Sequence, residues 1–150
     1  MRFWEDFEVG DEAVHGSHTI TEEEIVAFAR EYDPQPFHLD PAAAAASPFG
    51  GLIASGWHTA AIYMGLYVRN AMDDTAGMGS PGVEELRWLA PVRPGDTLTA
   101  RSRVVDAWPS ESDPGRGTMV GENELVNQDG VVVLRFRARM HLARRPRENG

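Results

Sequence analysis

The C-terminal half of the chain alternates apolar and polar residues with the two-residue period of a β-strand. The clearest case lies at residues 131–143, where apolar residues share one face and arginines share the other. The apolar positions are Val132, Leu134, Phe136, Ala138 and Met140, and the polar positions are Arg135, Arg137 and Arg139. This pattern predicts a half-buried strand of an antiparallel sheet.

Comparable segments predict further strands. They lie at residues 13–19, 83–92, 97–108 and 117–127. The sequences RPGD at 93–96 and QDG at 128–130 predict turns between neighbouring strands, because Gly, Pro and Asp favour turns. Residues 109–117, PSESDPGRG, predict a long hairpin loop.

The N-terminal half shows helical periods instead. In TEEEIVAFAREY, Thr21 and Glu24 have the spacing of a capping box, and apolar residues recur after them at helical intervals. This helix is predicted to end near Tyr32, because Pro34 disfavours helical torsions in the residue before it. Since Pro36 follows in YDPQPFH, we expect the loop after the helix to be stiff and extended.

Two more helices are predicted. DPAAAAAS offers Asp40 as an N-cap and Pro41 at the first helical position. Residues 56–68, GWHTAAIYMGLYV, are apolar on every face, which predicts a buried helix. One buried helix followed by long antiparallel strands predicts an α+β fold, in which a curved antiparallel sheet wraps around a central helix.

Length and composition set the class of protein. A chain of 150 residues, 42% hydrophobic and 25% charged, predicts a single globular domain over residues 1–150. No stretch approaches the ~20 apolar residues that a membrane helix needs. The acidic start MRFWEDFEVGDE has no apolar core, so it does not resemble a secretion signal. We therefore expect a soluble protein with no membrane partner.

Charge and residue usage exclude several kinds of chemistry. The chain has no cysteine, which excludes disulfides and thiolate catalysis and fits a cytoplasmic protein. A net charge of −9 argues against binding of a nucleic-acid backbone. Apart from His38, the histidines show no metal-ligand spacing, so no metal site is predicted. These histidines are His15, His18, His58 and His141.

Three stretches carry a resemblance to a known family. YDPQPFHLDPAAA resembles the hydratase motif of the MaoC-like dehydratases of the (R)-specific enoyl-CoA hydratase type, which have a hot-dog fold. That motif runs aromatic, Asp, any residue, Asn, Pro, apolar, His, and here only Gln35 departs from it, in place of Asn. FGGLIASGWHTAA is similar to the family's glycine loop and central helix, and RWLAPVRPGDTLTARSRV to its strand, turn and strand. The resemblance implies one hot-dog domain.

The resemblance also implies a reaction. The family's members add water to, or remove it from, the double bond of an enoyl thioester, here trans-2-enoyl-CoA to (R)-3-hydroxyacyl-CoA. Such a hydro-lyase needs a base for the water and an acid for the α-carbon, and the family's motif assigns these roles to Asp33 and His38 acting on one water. The N–H of Gly56, at a helix N-terminus, is implied as the donor to the thioester oxygen.

Departures from the family pattern surround this glycine. Ser55 stands where many members have histidine, and Trp57 stands where many have methionine or another flexible residue. Both residues are candidates for the pocket wall, and the bulk of Trp57 leads to the hypothesis of a short or compact acyl group. Some hydratases support the catalytic pair with a serine two turns into the helix, where this chain has Met64.

The resemblance implies a coenzyme A thioester as substrate and no cofactor. Because a single hot-dog leaves an edge strand exposed, a homodimer or a higher homo-oligomer joined through the sheets is expected, with the thioester channel near the interface. Two other functions stay open. A hot-dog acyl-CoA thioesterase usually carries its carboxylate on or beside the central helix, yet residues 56–71 contain no Asp or Glu. A non-catalytic acyl-thioester-binding subunit is the other alternative.

Overall fold

The computed structural model describes residues 1–148, so the last two positions of the predicted single domain lie outside the described residues. The helices are α1 (Glu22–Tyr32), α2 (Pro36–Leu39), α3 (Pro41–Ala45) and α4 (Gly56–Tyr67). The strands are β1 (Glu12–Thr19), β2 (Val83–Trp88), β3 (Thr97–Pro109), β4 (Arg116–Val126) and β5 (Val132–Ala143). A short 3-10 turn, Trp4–Asp6, precedes β1, and a π-helical turn, Val68–Met72, continues α4.

The strands form one antiparallel sheet in the order β1-β3-β4-β5-β2. β3, β4 and β5 are long neighbouring strands joined by hairpins, while β1 and β2 form the edges. The core lies between the concave face of the sheet and α4, where Tyr63, Leu66 and Tyr67 pack against strand residues. The predicted α+β hot-dog fold, a curved antiparallel sheet around a central helix, is confirmed.

Side-chain caps begin two of the helices at the predicted residues. The hydroxyl of Thr21 accepts a hydrogen bond from the Glu24 amide at 3.2 Å, and Asp40 Oδ1 accepts one from the Ala42 amide at 2.9 Å. The Glu24 carboxylate contacts His18 Nε2 at 2.7 Å. α1 ends at Tyr32, as the following proline predicts. These starts and ends depend on local contacts, which explains why the sequence predicts them.

The loop after α1 differs from the expectation. Gln35 is extended, with φ −86° and ψ 144°, but Pro36 then begins the short helix α2. The expectation of an extended loop up to His38 was therefore wrong. Proline is well suited to the first helical position, because its fixed φ is helical and that position has no intrahelical acceptor for an N–H. His38 consequently lies on a helical turn.

The alternation along β5 is confirmed from Leu134 onward, whereas a register shift at the start of the strand leaves Val132 half-buried and Val133 fully buried. Leu134 and Phe136 are buried in the core, whereas Arg135 and Arg137 are exposed on the outer face. There the two arginines pair with carboxylates of β4 at N···O distances of 3.0 and 3.2 Å. These exposed pairs contribute little to stability, so the burial of the apolar face determines the register of the strand.

The composition of α4 predicted burial on every face, but the helix is buried on only part of its surface. The sheet covers one side of the helix, and the side chains on the other side remain open to solvent. Trp57, Met64 and Val68 are 61%, 49% and 45% exposed. These residues form a stripe at helical spacing, which we call the α4 stripe. A sequence cannot distinguish helix sides covered by its own sheet from sides left for another surface.

The strand boundaries need small corrections. β2 ends at Trp88, and residues 89–92 continue without regular strand structure. β3 and β4 extend further into the predicted hairpin loop, which leaves only residues 110–115 between them. Within residues 1–148, no helix has both the length and the apolar character needed to span a membrane.

Candidate active site

Asp33 lies at the C-terminal end of α1. Its amide donates to the Ala29 carbonyl at 2.9 Å, which fixes the backbone. Both carboxylate oxygens accept hydrogen bonds: Oδ2 from Ser55 Oγ at 2.8 Å, and Oδ1 from Gln35 Nε2 at 2.7 Å. The side chain is 19% exposed. The carboxylate is therefore held from both sides while it remains accessible.

A hydrogen bond at Nδ1 holds the ring of His38 in one orientation. Nδ1 lies 2.7 Å from the Ile53 carbonyl oxygen, and because a carbonyl can only accept, Nδ1 carries a proton. The Ile53 amide in turn donates to the Phe37 carbonyl at 3.2 Å, which ties α2 to this segment. Nε2 lies 3.3 Å from Asp33 Oδ2. The pair predicted from YDPQPFH is thus brought into direct contact.

The surroundings of Asp33 favour its ionised form. Burial alone raises the pKa of this carboxyl, but hydrogen bonds from Gln35 and Ser55 and the adjacent His38 outweigh it. The net pKa of Asp33 lies below its ordinary value. Hydrogen bonds from neutral donors stabilise a carboxylate more than a carboxylic acid, which accounts for the direction. Asp33 is consequently ionised at neutral pH and able to accept a proton.

Gly56 is the first residue of α4 and lies against Trp88 of β2. The indole Nε1 of Trp88 donates to the Gly56 carbonyl at 2.7 Å. A Cβ added at Gly56 would overlap the same indole ring, so no side chain fits there without movement. The Gly56 N–H belongs to the first turn of α4, whose amides have no intrahelical acceptor and carry the positive end of the helix dipole.

These groups open on one groove of about 410 Å³, which we call the dyad groove. Its lining includes Asp33, Gln35, Phe37, His38, Gly56, Trp57, Thr59 and Trp88. Trp57 is on the rim, edge to face with Trp88 at 5.1 Å between ring centroids. Ser55 is completely buried and lies behind Asp33 rather than on the groove wall. Ser55 was predicted as a candidate for the pocket wall. It contacts the site residue Asp33 but does not line the groove.

A second cavity of about 270 Å³ lies beside the C-terminal half of α4. We call it the methionine cavity, since four of the six methionines line it: Met64, Met72, Met119 and Met140. Tyr63, another lining residue, donates from its hydroxyl to Asn123 Oδ1 at 2.5 Å. Thr59 of the dyad groove and Tyr63 are one helical turn apart, a rise of about 6 Å. The two spaces are therefore neighbours along α4.

Two contacts of the site were missed by the sequence reasoning. The Trp88 indole donates a hydrogen bond to Gly56, which lies 32 positions away in the sequence. The Ile53 carbonyl orients His38, which lies 15 positions away. No local pattern signals contacts of this kind. Within residues 1–148, no group of three or more His, Cys, Asp or Glu side chains is arranged to hold a metal ion. The prediction of a site without metal or cofactor stays a prediction.

Comparison with known proteins places this geometry in context. A family model described as MaoC like domain matches residues 7–126. The crystal structure of a MaoC-like dehydratase from Rhodospirillum rubrum superposes with a TM-score of 0.92 at 45% identity, over 98% of this chain and 100% of that one. An (R)-hydratase from A. caviae involved in PHA biosynthesis gives a TM-score of 0.72 at 28% identity, over 91% and 97%.

A curated relative adds a reaction. The 3-hydroxyacyl-thioester dehydratase Z of Mycobacterium tuberculosis is 37% identical over 105 residues. That match covers 67% of this chain and 66% of the relative, so the chain spans just under two thirds of that protein.

Proposed function

This chain belongs to the MaoC-like domain family, and from that membership we propose that it is a hydro-lyase acting on the carbon–carbon double bond of an acyl thioester. The specific reaction proposed is the hydration of trans-2-enoyl-CoA to (R)-3-hydroxyacyl-CoA, or its reverse. The names of the relatives, an (R)-hydratase and a 3-hydroxyacyl-thioester dehydratase, support this reaction class and the configuration of the product.

One observation carries the proposal: an acid–base pair and a helix N-terminus open on the same groove. Asp33 and His38 approach to 3.3 Å, and the first residue of α4, Gly56, lines the groove beside them. Hydration of an enoyl thioester needs proton transfer at the water and at the α-carbon, together with stabilisation of negative charge on the thioester oxygen. The groove provides groups for all of these requirements.

The hydrogen bonds suggest how the pair handles one water. With Nδ1 held by the Ile53 carbonyl, His38 presents Nε2 beside Oδ2 of ionised Asp33. These two atoms lie 3.3 Å apart, too close for a water between them, so we place the water in the groove beside both, where it donates to Asp33 Oδ2 and contacts His38 Nε2. Its oxygen then faces the β-carbon of the substrate, and its proton passes to the pair as the C–O bond forms. The pair delivers a proton to the α-carbon, which closes the cycle.

Charge develops on the thioester oxygen during the same step. We assign its stabilisation to the Gly56 N–H at the start of α4, where the dipole favours negative charge. Trp88 covers the carbonyl side of Gly56 and leaves no room for a Cβ. A glycine at this place therefore permits the indole to pack and a substrate carbonyl to approach.

The methionine cavity is proposed to receive the acyl tail. It is apolar and neighbours the dyad groove, and unbranched methionine side chains adapt to ligands of different shape. Trp57, which led to the hypothesis of a short acyl group, lies on the groove rim and is 61% exposed. The position of this tryptophan weakens that hypothesis, and the cavity favours a longer tail. Coenzyme A is proposed as the carrier, with no further cofactor.

A homodimer is proposed as the working form. The α4 stripe, Val83 and Trp88 expose apolar side chains on α4 and on the edge strand β2. An exposed apolar surface beside an unpaired strand edge is typical of an interface. A second copy of the chain, related by twofold symmetry, would cover both features at once. A cytoplasmic location remains part of the proposal.

The test is direct incubation with crotonyl-CoA. Purified protein is expected to remove the enoyl absorbance without releasing free thiol. Thiol release in step with loss of the thioester would indicate a thioesterase instead. Binding of crotonyl-CoA in calorimetry without either reaction would indicate a binding subunit and overturn the proposal.

A further inference from the structure

Two polar side chains converge on a single oxygen of Asp33. Ser55 Oγ donates to Oδ2 at 2.8 Å, and His38 Nε2 lies 3.3 Å from that same atom. Gln35 donates a hydrogen bond to the other oxygen, Oδ1, from the solvent side. The oxygen that faces His38 is therefore the one that the Ser55 hydroxyl holds.

The position of Ser55 makes its contact unusual. It is the N-cap residue of α4, and an N-cap serine usually accepts a hydrogen bond from an amide of the first turn. Here the side chain caps no amide, and its hydroxyl donates to Asp33. The backbone is held by α4, since the Thr59 amide donates to the Ser55 carbonyl at 3.0 Å. The hydroxyl thus links the end of α1 to the start of α4.

Burial makes this link rigid. Ser55 is 0% exposed, so water has no access to compete for its hydroxyl. A buried hydroxyl that loses its acceptor is left with an unmet hydrogen bond, which strongly disfavours other rotamers of Ser55 and of Asp33. Catalytic groups need this kind of support because small displacements sharply reduce the rate.

We propose that Ser55 is a positioning residue, which holds Oδ2 of Asp33 against His38 Nε2 by a hydrogen bond from behind the dyad groove. The inference rests on the proposed function, in which these two atoms share one water. Met64 stands where some family members have a supporting serine, and here it is 49% exposed and lines the methionine cavity. Ser55 supplies support from the opposite end of the helix.

The hydrogen bond has an electrostatic consequence that can be measured. Ser55 is one of the donors that lower the pKa of Asp33 below its ordinary value, against the effect of burial. Its removal should raise that pKa. Because the base must be ionised to accept a proton, the acidic limb of the kcat/KM profile should move to higher pH. A residue with a purely structural role would not move this limb.

The experiment compares Ser55→Ala with the wild type on crotonyl-CoA. A hydrogen bond to a charged group typically accounts for about a 10- to 100-fold change in rate, so kcat should fall within that range. KM should change by less than about threefold, because Ser55 does not line the groove. Ser55→Thr, which keeps the hydroxyl at an N-cap position, should recover most of the rate.

Ser102→Ala is the matched control. This partly buried serine lies 2.7 Å from His15 Nε2 through its hydroxyl, a hydrogen bond as short as that of Ser55, but on β3 and outside the dyad groove. The kcat of Ser102→Ala and the acidic limb of its kcat/KM profile should match those of the wild type. A Ser55→Ala enzyme with wild-type kcat and an unmoved acidic limb would overturn the proposal, as would an equal rate loss in Ser102→Ala.

A second readout does not depend on activity. Protein labelled with ¹³C at aspartate carboxyls is titrated by NMR, and the Asp33 signal is assigned by its loss in Asp33→Asn. Its pKa should be higher in Ser55→Ala than in the wild type. If the wild type hydrates no enoyl-CoA, the proposed function fails, while this shift still supports the hydrogen bond as the device that holds Asp33. An unchanged Asp33 titration overturns the role of Ser55 in either case.

Discussion

The two spaces along α4 differ in how their walls are fixed. In the dyad groove, Asp33 and His38 are held by hydrogen bonds from Ser55, Gln35 and the Ile53 carbonyl. In the methionine cavity, most of the wall is made of aliphatic and aromatic side chains. Hydrogen bonds fix direction as well as distance, whereas apolar packing mainly fixes volume. The groove is therefore suited to one reaction geometry and the cavity to a range of ligand shapes.

This difference separates two kinds of mutational effect. Substitutions in the groove should change turnover for every substrate, because they disturb groups that act on reacting atoms. Substitutions in the cavity should change the preference among acyl tails and leave turnover of the shortest substrate nearly intact.

The largest effect is expected from the pair itself. Positioned acid–base groups contribute ~10²- to 10⁴-fold each, so Asp33→Asn and His38→Ala should each lower the hydration rate by at least about a hundredfold. The double variant should be little worse than the worse single one, because both groups act on one water in one step. Rates are measured with crotonyl-CoA as loss of enoyl absorbance.

Asp40→Asn is the control for this pair. Asp40 belongs to the same loop, but its carboxylate caps α3 and does not line the groove. Asparagine is an equally good N-cap, so this variant should retain full activity and stability. If both single variants of the pair hydrate enoyl-CoA at near wild-type rates while folded, the assignment of Asp33 and His38 is wrong.

The pair was assigned by the resemblance to the family's motif, and the contact between its two side chains could be anticipated because the residues that determine it are local. Asp33 and His38 are five positions apart, with prolines between them that limit the possible backbone shapes. The same locality explains the correct caps at Thr21 and Asp40. Even here the sequence misjudged the backbone, since Pro36 supports either an extended loop or a first helical residue, and packing against Ile53 accompanies the helical turn.

The next effect concerns the amide of Gly56. Proline and alanine both add a Cβ, but only proline removes the N–H. Because either Cβ would overlap Trp88, the two variants are compared in a Trp88→Ala background, where the indole is absent. Gly56→Pro should be about 10²- to 10³-fold slower than Gly56→Ala in that background, the effect typical of one oxyanion donor. Proline suits the first helical position, so α4 should still form.

The measurement is kcat for crotonyl-CoA, with helix content followed by circular dichroism. Equal turnover of the two folded variants would remove the Gly56 N–H from the mechanism. Slower turnover of Gly56→Pro with unchanged helix content would place the thioester oxygen at the start of α4.

A smaller and more selective effect is expected in the methionine cavity. Ala138 of β5 lines it, and Ala138→Leu adds bulk where the acyl tail is proposed to lie. One methylene in an apolar pocket alters discrimination by about 10-fold or more, and leucine adds three carbons to alanine. The kcat/KM for trans-2-octenoyl-CoA should fall by about that factor, while crotonyl-CoA should stay within about threefold. An equal loss for both substrates would show that the tail lies elsewhere.

Features that depend on distant contacts were beyond the sequence. The Ser55 hydrogen bond crosses 22 positions, and the choice between capping α4 and holding Asp33 depends on where α1 ends in space. The α4 stripe could not be predicted for a similar reason, since the sequence of an all-apolar helix does not indicate which side its own sheet covers. Alternation predicts strands, but it does not predict which side chains meet across the core.

The smallest effect on turnover is expected where the methionine cavity contains its own hydrogen bond. Tyr63 donates to Asn123 Oδ1, and burial raises the pKa of Tyr63, so the phenol keeps its proton. Tyr63→Phe leaves a buried amide oxygen without its donor, which typically costs about 1–3 kcal/mol of unfolding free energy. Tyr67→Phe is the control, since within residues 1–148 that hydroxyl has the Met140 sulfur at 3.7 Å as its one hydrogen-bond partner, and sulfur is a weak acceptor.

The two variants should separate stability from catalysis. Tyr63→Phe should unfold at clearly lower urea concentration than Tyr67→Phe, yet both should hydrate crotonyl-CoA within about twofold of the wild type. The reason is that the Asn123 side chain stays anchored through Nδ2 to the Gly121 and Phe136 carbonyls at 3.1 and 3.4 Å, so the cavity keeps its shape. A hundredfold loss of turnover in folded Tyr63→Phe would mean that the hydrogen bonds of the cavity, like those of the groove, direct the reaction. In that case the division between the two spaces would fail.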